Sequence, residues 1–407
     1  MDSRRKFVGT VAYGIAGTLA AGPARVLGAN DRLRVGIIGA GDRGMELVNY
    51  LRACPNTEVV AFADVYAKRL EAGGSSVAGS ATYRDYRGLL DDKNVDAVFI
   101  ATPQHLHAQQ FCDALAASKH VYLEKTAAFT VAEARRMRAA YRASTHIVEI
   151  GHQACSSGHL ADVRQFLAEP DRMGLITAIN MQAHRNTPRG KPQWARPALM
   201  TADLTAANVD WAAFDPAREF DPHRFIHWRY FWDYSGGSVF EHMSQQLSFW
   251  YKALNLDIPR TASTQGGIHL WNDGREVPDT VNVALQQSEG VLINWFSGLG
   301  NNQLGVSEDA LGTNGTISRA TQVRYSPQRM NRPELREILG RTAQPPQAHV
   351  ENFLNAIRFN REPNCGFEVG YRVSIACRMA VESYRQGRTV RWDPRNEEIV
   401  ASETQRT

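Results

Sequence analysis

The clearest chemical pattern in the sequence is the glycine-rich loop Gly39-Ala40-Gly41-Asp42-Arg43-Gly44, which follows a short apolar stretch and opens a helical one. In such a loop Gly39 makes the tight turn, Gly41 lets backbone amides approach a pyrophosphate, and Gly44 lets the helix pack closely on the strand. The N-terminus of the following helix attracts negative charge. The loop, with Asp42 and Arg43 inside it, therefore predicts the phosphate-binding part of a dinucleotide site.

Asp64 ends the next predicted strand, twenty residues after Gly44. A carboxylate there accepts hydrogen bonds from ribose hydroxyls and repels a 2′-phosphate, which favours NAD over NADP. Lys68 and Arg69 stand nearby and keep NADP open as the alternative cofactor. The other interpretation is a glycine turn in an α/β domain that binds no nucleotide, but strand, loop, helix and acid in register favour the dinucleotide site.

Lys125 is the residue best placed to move a proton. It follows the predicted strand 120–123 at its carboxyl end, the edge at which doubly wound parallel sheets bind ligands. Burial and a positive nicotinamide ring would both favour its neutral amine, which could accept or relay the proton of an alcohol. The alternative is a structural salt bridge between Lys125 and a neighbouring acid.

Nine aromatic residues are concentrated between residues 211 and 234, interleaved with charged and polar ones. Rings of this kind stack on pyranose faces while polar groups bind hydroxyls, so the segment could hold a carbohydrate. Arg224, Trp228 and Tyr234 are the preferred substrate contacts. The alternative is that most of the rings anchor a long irregular connection, at about residues 185–227, to the sheet.

These residues need a scaffold of short strands and helices to position them. From residue 33 to residue 152 the apolar runs are short, bounded by turn residues and separated by helical stretches, which is the βαβ alternation of a parallel sheet. The predicted strands are 33–38, 58–63, 95–100, 120–123 and 147–150. The predicted helices between them are 43–53, 104–117 and 131–144.

After Gly151 the pattern changes to longer alternating segments. Residues 280–286 and 291–296 predict a hairpin, and the spacing of apolar residues predicts helices around 350–357 and 368–386. The fold class is therefore α/β. An N-terminal Rossmann domain with a parallel sheet (30–152) is followed by a C-terminal α/β domain with a largely antiparallel open sheet and closing helices (153–407).

Residues 1–29 have the pattern of an export signal. Arg4 and Arg5 precede an uncharged, weakly hydrophobic stretch rich in Gly and Ala, which resembles the Tat-type signals that carry folded proteins across a membrane. The expected location is periplasmic or otherwise exported, and the expected partner is the Tat export machinery. The alternative is a disordered basic tail.

Composition excludes several classes of function. The chain has 46 Lys and Arg against 42 Asp and Glu, and residues 1–29 carry three of the four excess positive charges. A nearly neutral remainder without a basic block argues against nucleic acid as a partner, because phosphate neutralisation needs clustered cations. The five cysteines are widely spaced and indicate neither a metal site nor a disulfide framework.

The motifs together resemble the Gfo/Idh/MocA family of oxidoreductases. They are the glycine loop, the segment 101–107, the segment 121–125, Gly236-Gly237 before a helix, and 349–363 with Glu368. The resemblance implies a sugar or polyol substrate in the cleft between the two domains. It also implies that Thr102, Pro103, His107, Glu124 and Lys125 border the cofactor, with Lys125 contacting the reacting hydroxyl.

The sequence departs from the family at the helix after Gly237. The family presents an acid, a histidine four residues on and another acid three residues later, whereas Glu241, Gln245 and Ser248 occupy those positions here, on one predicted helical face. Gln245 cannot titrate, so either Lys125 works alone or His184, His227 or His242 supplies the missing base. Thr126 replaces the family's proline, and the sequence does not favour a cis peptide before threonine.

Three functions are compatible with these patterns. The first is an exported NAD(P)-dependent oxidoreductase that acts on a sugar or polyol hydroxyl and retains a tightly bound cofactor, because no nicotinamide pool is expected outside the cytoplasm. The second is a redox-assisted glycosidase or lyase that uses tightly bound NAD, and the third is a non-catalytic carbohydrate-binding protein. The resemblance also implies a homo-oligomer formed through the open sheet.

Overall fold

The structure is a computed structural model that describes residues 32–169, 171–186, 191–328, 337–340 and 345–402. The predicted export signal at 1–29 lies outside the described residues. None of the helices within the described ranges has both the length and the apolar character needed to cross a membrane.

The described residues form two sheets and their covering helices. The strands are β1 (Leu33–Ile38), β2 (Thr57–Ala63), β3 (Ala81–Tyr83), β4 (Ala97–Ile100), β5 (His120–Leu123), β6 (Val148–Ile150), β7 (Ile176–His184), β8 (Thr261–Gly267), β9 (Thr280–Gln286), β10 (Leu292–Gly298), β11 (Val306–Gly312), β12 (Gly315–Arg319), β13 (Val323–Pro327), β14 (Glu337–Gly340), β15 (Val390–Asp393) and β16 (Glu398–Ala401). The α-helices are α1 (Asp42–Arg52), α2 (Ala67–Ser76), α3 (Tyr86–Asp91), α4 (His107–Ala116), α5 (Val131–Arg142), α6 (Gly158–Ala168), α7 (Trp211–Phe214), α8 (Pro222–Ile226), α9 (Ser244–Leu254), α10 (Gln347–Arg358) and α11 (Phe367–Gln386).

The first sheet is parallel throughout, in the order β3-β2-β1-β4-β5-β6. Helices cover both faces, and all four residues of β4 are buried, which explains why its sequence is continuously apolar. The five predicted strands and the parallel sheet are confirmed. The prediction missed β3, α2 and α3. Strand β3 has only three residues, none of them buried, and carries no apolar run that would indicate a strand.

Helix α10 packs on the first sheet although it follows the second domain in sequence. Val350, Phe353, Leu354 and Ile357 share one apolar cluster with residues of β1, α1, β4 and β5, and the Phe353 ring lies 5.4 Å from that of Phe99. The predicted helix is confirmed. The predicted boundary at residue 152 stays a prediction, and the returning helix α10 adds to the apolar core of the N-terminal domain.

The second sheet has ten strands within the described ranges, in the order β14-β13-β12-β11-β7-β10-β9-β8-β15-β16. Its pairs are antiparallel except for β7 and β10, which are parallel. The predicted hairpin is confirmed as β9 and β10, with Val283 opposite Trp295. Alternation along β9 buries Val281, Val283 and Leu285 under the helices and exposes Asn282 and Gln286 on the open face.

The irregular connection after β7 lies across the first domain. Its Val209 forms a bridge to Tyr66, and the Asp210 amide donates to the Val65 carbonyl at 2.8 Å. Six of the nine aromatic residues between 211 and 234 are buried in one cluster with Tyr66, which confirms that most of them anchor the connection. This packing fixes the segment 194–230 opposite the carboxyl edge of the parallel sheet. The six buried aromatic residues are Trp211, Phe214, Phe225, Tyr230, Phe231 and Tyr234.

Candidate active site

A cavity of about 700 Å³ lies between the carboxyl edge of the parallel sheet and the connection packed against it. Both domains contribute to its wall, as the topology of an open α/β sheet predicts. The first domain contributes, among others, Gly39, Gly41, Asp42, Arg43, Asp64, Thr102, Pro103, Gln104, Glu124 and Lys125. The rest of the chain contributes, among others, Arg185, Trp194, Arg196, His227, Trp228, Arg229, Glu241 and Gln245.

The glycine loop has the geometry that a pyrophosphate needs. Gly39 has a φ of +94°, and a Cβ at Gly44 would lie 1.9 Å from the Gly39 carbonyl oxygen. A Cβ at Gly41 would meet only the Arg69 guanidinium, at 3.9 Å, so the cavity approaches the backbone here. No side chain caps the N-terminus of α1, which leaves first-turn N–H groups free for an anion.

Asp64 is held rigidly at the end of β2. Its Oδ2 accepts from the Ala40 amide at 2.8 Å and its Oδ1 from the Tyr66 amide at 2.9 Å. Burial raises the pKa of Asp64, and the nearby Arg69 and Arg84 oppose that shift. Both arginines line the cavity, so this end offers a carboxylate for ribose hydroxyls and two cations for a 2′-phosphate.

Glu124 ties the glycine loop to the end of β5. Its Oε1 accepts from Arg43 Nε at 2.7 Å and its Oε2 from the Lys125 amide at 3.2 Å. Arg43 also pairs with Glu46 at 2.8 Å. Through this bridge the loop that would hold phosphate and the lysine that would hold a hydroxyl keep a fixed separation.

His107 is not on the cavity wall, contrary to its predicted place beside the cofactor. It is fully buried, and its Nδ1 and Nε2 lie 3.0 Å and 2.9 Å from the carbonyl oxygens of Thr126 and Thr102. The ring therefore fixes the two turns that carry Thr102 and Lys125. The Lys125–Thr126 peptide is cis, which the sequence did not favour.

Lys125 forms the predicted alternative, a salt bridge, and does so on the cavity wall. Its Nζ lies 3.0 Å from Glu241 Oε2 and 3.3 Å from the Glu241 carbonyl oxygen. Gln104 Nε2 donates to the other carboxylate oxygen of Glu241 at 2.8 Å. An ammonium has three donors, so one N–H of Lys125 remains for a ligand.

Glu241 also pairs with Arg229, whose Nε lies 3.3 Å from Oε2. Burial raises the pKa of Glu241, but the positive charges of Arg229 and Lys125 outweigh it and bring the pKa to about 2. The carboxylate is therefore ionised at neutral pH. Sequence reasoning missed Gln104 and Arg229, which stand in segments it had singled out only for their neighbours.

The helix after Gly237 begins with a π-helical turn, Val239–Met243, before α9. The wider turn changes the spacing, so that Glu241 and Gln245 line the cavity whereas Ser248 is fully buried. Ser248 Oγ donates to the Gln245 carbonyl at 2.8 Å. Regular helical spacing predicted that Glu241, Gln245 and Ser248 share one helical face. In the structure Glu241 and Gln245 line the cavity, and Ser248 does not.

Three histidines were candidates for the missing base, and none has the right surroundings. His227 lines the cavity, but its Nε2 accepts from the Arg196 amide at 3.0 Å and its Nδ1 lies 3.2 Å from the His223 carbonyl. His184 lies off the wall, where alternation along β7 puts its ring beside Phe296, 4.7 Å away. Burial and the charge of Arg185 lower the pKa of His242 to about 3.

A fourth histidine, His152, lies behind the cavity and was not a sequence candidate. It is fully buried, and burial together with the charge of Lys125 lowers its pKa to about 3, while Gln245 raises it slightly. His152 is therefore neutral, and both Lys125 and Gln245 lie close enough to act on its charge. Only its position just after β6 could have indicated it.

Of the predicted substrate contacts only Trp228 reaches the cavity. Arg224 pairs with Asp233 at 3.0 Å and Glu276 at 3.3 Å, and its guanidinium covers the Phe231 ring. Tyr234 is buried and donates to Asp215 at 2.5 Å. Arg224 and Tyr234 therefore stabilise the aromatic cluster and are off the cavity wall.

The family whose sequence model matches this chain covers the first domain. Residues 33–152 match the model GFO_IDH_MocA, described as an oxidoreductase family with an NAD-binding Rossmann fold. An inositol 2-dehydrogenase of Salmonella typhimurium is 37% identical over 125 residues, which are 29% of this chain and 36% of that protein. A 1,5-anhydro-D-fructose reductase of Ensifer adhaerens is 30% identical over 136 residues, 33% of this chain and 41% of that protein.

The alignments thus span less than half the length of these curated relatives. The likeness in three dimensions covers more of the chain. A levoglucosan dehydrogenase solved with NADH and levoglucosan superposes with a TM-score of 0.67 over 89% of this chain and 99% of that one, at 18% identity. At that identity the superposition shows a shared two-domain fold.

Proposed function

We propose that this chain, whose residues 33–152 match the Gfo/Idh/MocA oxidoreductase family, is an NAD(P)-dependent oxidoreductase acting on a sugar or polyol hydroxyl. One observation carries the proposal: the uncapped glycine loop and the Lys125 ammonium line the same cavity, tied together by Glu124. The related inositol dehydrogenase and anhydrofructose reductase are named for substrates of this chemical class.

The residues of the cavity divide the work between the two ends. The glycine loop and the N-terminus of α1 would hold the pyrophosphate, and Asp64 would accept from the ribose hydroxyls. Thr102 and Pro103 line the same cavity and would border the nucleotide. A bound nicotinamide would supply the hydride chemistry toward the carbinol carbon of the substrate.

Lys125 handles the proton that leaves with that hydride. Its ammonium donates a proton to the substrate oxygen as the carbonyl is reduced to the hydroxyl, and in the oxidation direction the amine takes that proton back. Glu241 stabilises the ammonium, and Gln104 and Arg229 hold the Glu241 carboxylate in place. Gln245 provides an amide for a neighbouring hydroxyl, so the chemistry needs no histidine at that position.

The experiment is a turnover assay of the full chain with NAD or NADP and a panel of sugars, polyols and glycosides. Reduction of the nucleotide together with a product two hydrogens lighter supports the proposal. Cleavage of a glycoside without net reduction points to the redox-assisted glycosidase or lyase instead. Bound nucleotide without any turnover leaves a non-catalytic binding protein.

We further propose that residues 1–29 direct Tat-type export and that the folded protein carries its dinucleotide with it. An exported enzyme with no nicotinamide pool must restore the redox state of its cofactor within the site. Cell fractionation of the Arg4→Lys, Arg5→Lys double variant tests export. Mass spectrometry of nucleotide released by denaturing the purified protein tests retention and distinguishes NAD from NADP.

A further inference from the structure

Arg185 and Arg229 line the cavity together with Lys125, which is more positive charge than a neutral sugar requires. Among the residues that the structure describes, Glu241 is the carboxylate that pairs with both Lys125 and Arg229. A further arginine of the wall, Arg196, belongs to the other end of the cavity, where it lies 3.7 Å from Asp42 of the glycine loop.

Arg229 is presented as a rigid fork. Its guanidinium lies over the Trp228 ring, 4.1 Å from the centroid, and its Nε pairs with Glu241 Oε2 at 3.3 Å. The side chain keeps 32% of its exposure, so N–H groups other than that of Nε remain open to the cavity. A planar guanidinium held in this way binds carboxylate or phosphate oxygens in pairs.

Arg185 has no carboxylate within salt-bridge distance among the residues that the structure describes. It is exposed and follows β7 at the cavity wall. Arg185, Lys125 and Arg229 all lie close enough to His242 to act on its charge, and the His242 Nδ1 is buried without a hydrogen-bond partner. The neutral ring of His242 therefore lies near three cations, Arg185, Lys125 and Arg229, and one carboxylate, that of Glu241.

We propose that the substrate is an anionic carbohydrate whose carboxylate or phosphate is bound by Arg185 and Arg229. The inference rests on the proposed function, because it assigns the substrate class of the same cavity. An anion there offsets the uncompensated positive charge. The reacting hydroxyl then lies at Lys125, and the acidic group is directed away from the glycine loop, toward β7.

Binding to the NADH-loaded full chain tests the proposal without any need for turnover. Titration calorimetry compares matched pairs that differ only in charge: glucose with glucuronate, galactose with galacturonate, and glucose with glucose 6-phosphate. We expect one acidic member to bind at least about tenfold more tightly than its neutral partner, a preference that shrinks as salt rises. Comparing the uronates with the phosphate ester identifies which anion the arginines accept.

Arg185→Gln should shrink that preference, because it removes one of the two arginines that bind the acidic group and lowers the affinity for the acidic member more than that for its neutral partner. Arg395→Gln, an exposed arginine far from the cavity, is the matched control and should keep the preference. Neutral members binding as tightly as acidic ones in every pair, no binding by any acidic member, or an unchanged preference in Arg185→Gln would overturn the proposal. An acid that binds without transferring hydride would instead count against the oxidoreductase function alone.

Discussion

Lys125 Nζ and Glu241 Oε2 lie 3.0 Å apart although 116 residues separate them in the chain. Lys125 is the second residue after β5, and Glu241 belongs to the π-helical turn before α9. The pair therefore joins the two domains at the cavity and holds the ammonium opposite the glycine loop. The proposed proton transfer depends on this arrangement.

Replacing Lys125 with Ala should lower kcat by roughly a hundredfold to ten-thousandfold, because the group that takes the hydroxyl proton is lost. The nucleotide should still bind, since the glycine loop and Asp64 make the phosphate and ribose contacts. Steady-state kinetics and a nucleotide titration measure the two effects. The control is Lys93→Ala on the exposed surface, and near-normal kcat in Lys125→Ala would assign the proton transfer to another residue.

Glu241 should make the stability of the protein sensitive to acid. Its pKa of about 2 lies below the ordinary value of 4.5 because Arg229 and Lys125 outweigh the effect of burial. The carboxylate therefore stabilises the folded state above about pH 4.5, by on the order of 3 kcal/mol, and that contribution is lost as pH falls toward 2.

Denaturant unfolding of the protein and of Glu241→Gln at about pH 6 and about pH 3 measures this contribution. The difference in the free energy of unfolding between the two should shrink at the lower pH. A difference that stays constant over this range would show that the carboxylate is not held by Arg229 and Lys125.

Two glycines of the loop should respond differently to alanine. At Gly41 the new methyl group meets only the Arg69 guanidinium, so folding stability should change by less than about 1 kcal/mol while the Kd for nucleotide rises about tenfold or more. At Gly44 the methyl group would strike the Gly39 carbonyl, which should cost about 2–4 kcal/mol of stability. Thermal unfolding with and without nucleotide separates the two effects, and unchanged nucleotide affinity in Gly41→Ala would argue against phosphate binding at the loop.

His184→Gln should keep kcat within about threefold, since the ring lies beside Phe296 and away from the cavity wall. His227→Ala should instead raise KM more than it lowers kcat, because it releases the Arg196 amide. The pH profile of kcat should be the same in both variants as in the parent. Loss of a titration in the His184 or His227 variant would identify that histidine as the base.

We expect a homo-oligomer formed through the open face of the second sheet. Leu292 and Phe296 of β10 are 42% and 39% exposed there, and Asn294 between them lies opposite Ala284 of β9. Phe296→Asp should therefore lower the mass measured by light scattering to that of a single chain. A monomer already in the unaltered protein would show that this face is not an interface.

The sequence was informative wherever a chemical group directly follows an apolar strand. The glycine loop follows β1, Asp64 follows β2 and Lys125 follows β5, so the parallel sheet brings them to one edge. The hairpin β9–β10 and the helices α10 and α11 were predictable for another reason: the apolar periodicity that marks each of them lies within a short segment of the sequence.

The remaining parts of the site depend on contacts between distant segments. Gln104 reaches Glu241 across 137 residues, and the π-helical turn that moves Ser248 away from Glu241 leaves no mark in the apolar spacing. The parallel pairing of β7 with β10 and the return of α10 to the first sheet are likewise non-local. Arg224 and Tyr234 could not be told apart from Trp228, because all three share one aromatic-rich segment.

Deuterium transfer from the substrate to the nicotinamide ring tests the central claim most directly. The full chain is incubated with nucleotide and carbon-deuterated neutral and acidic sugars, and the nucleotide is analysed by mass spectrometry, with Lys125→Ala as the control. The account predicts deuterium on the nicotinamide with at least one sugar, and strong loss of the transfer in Lys125→Ala. Nucleotide that binds but acquires no deuterium from any sugar of the panel would contradict it.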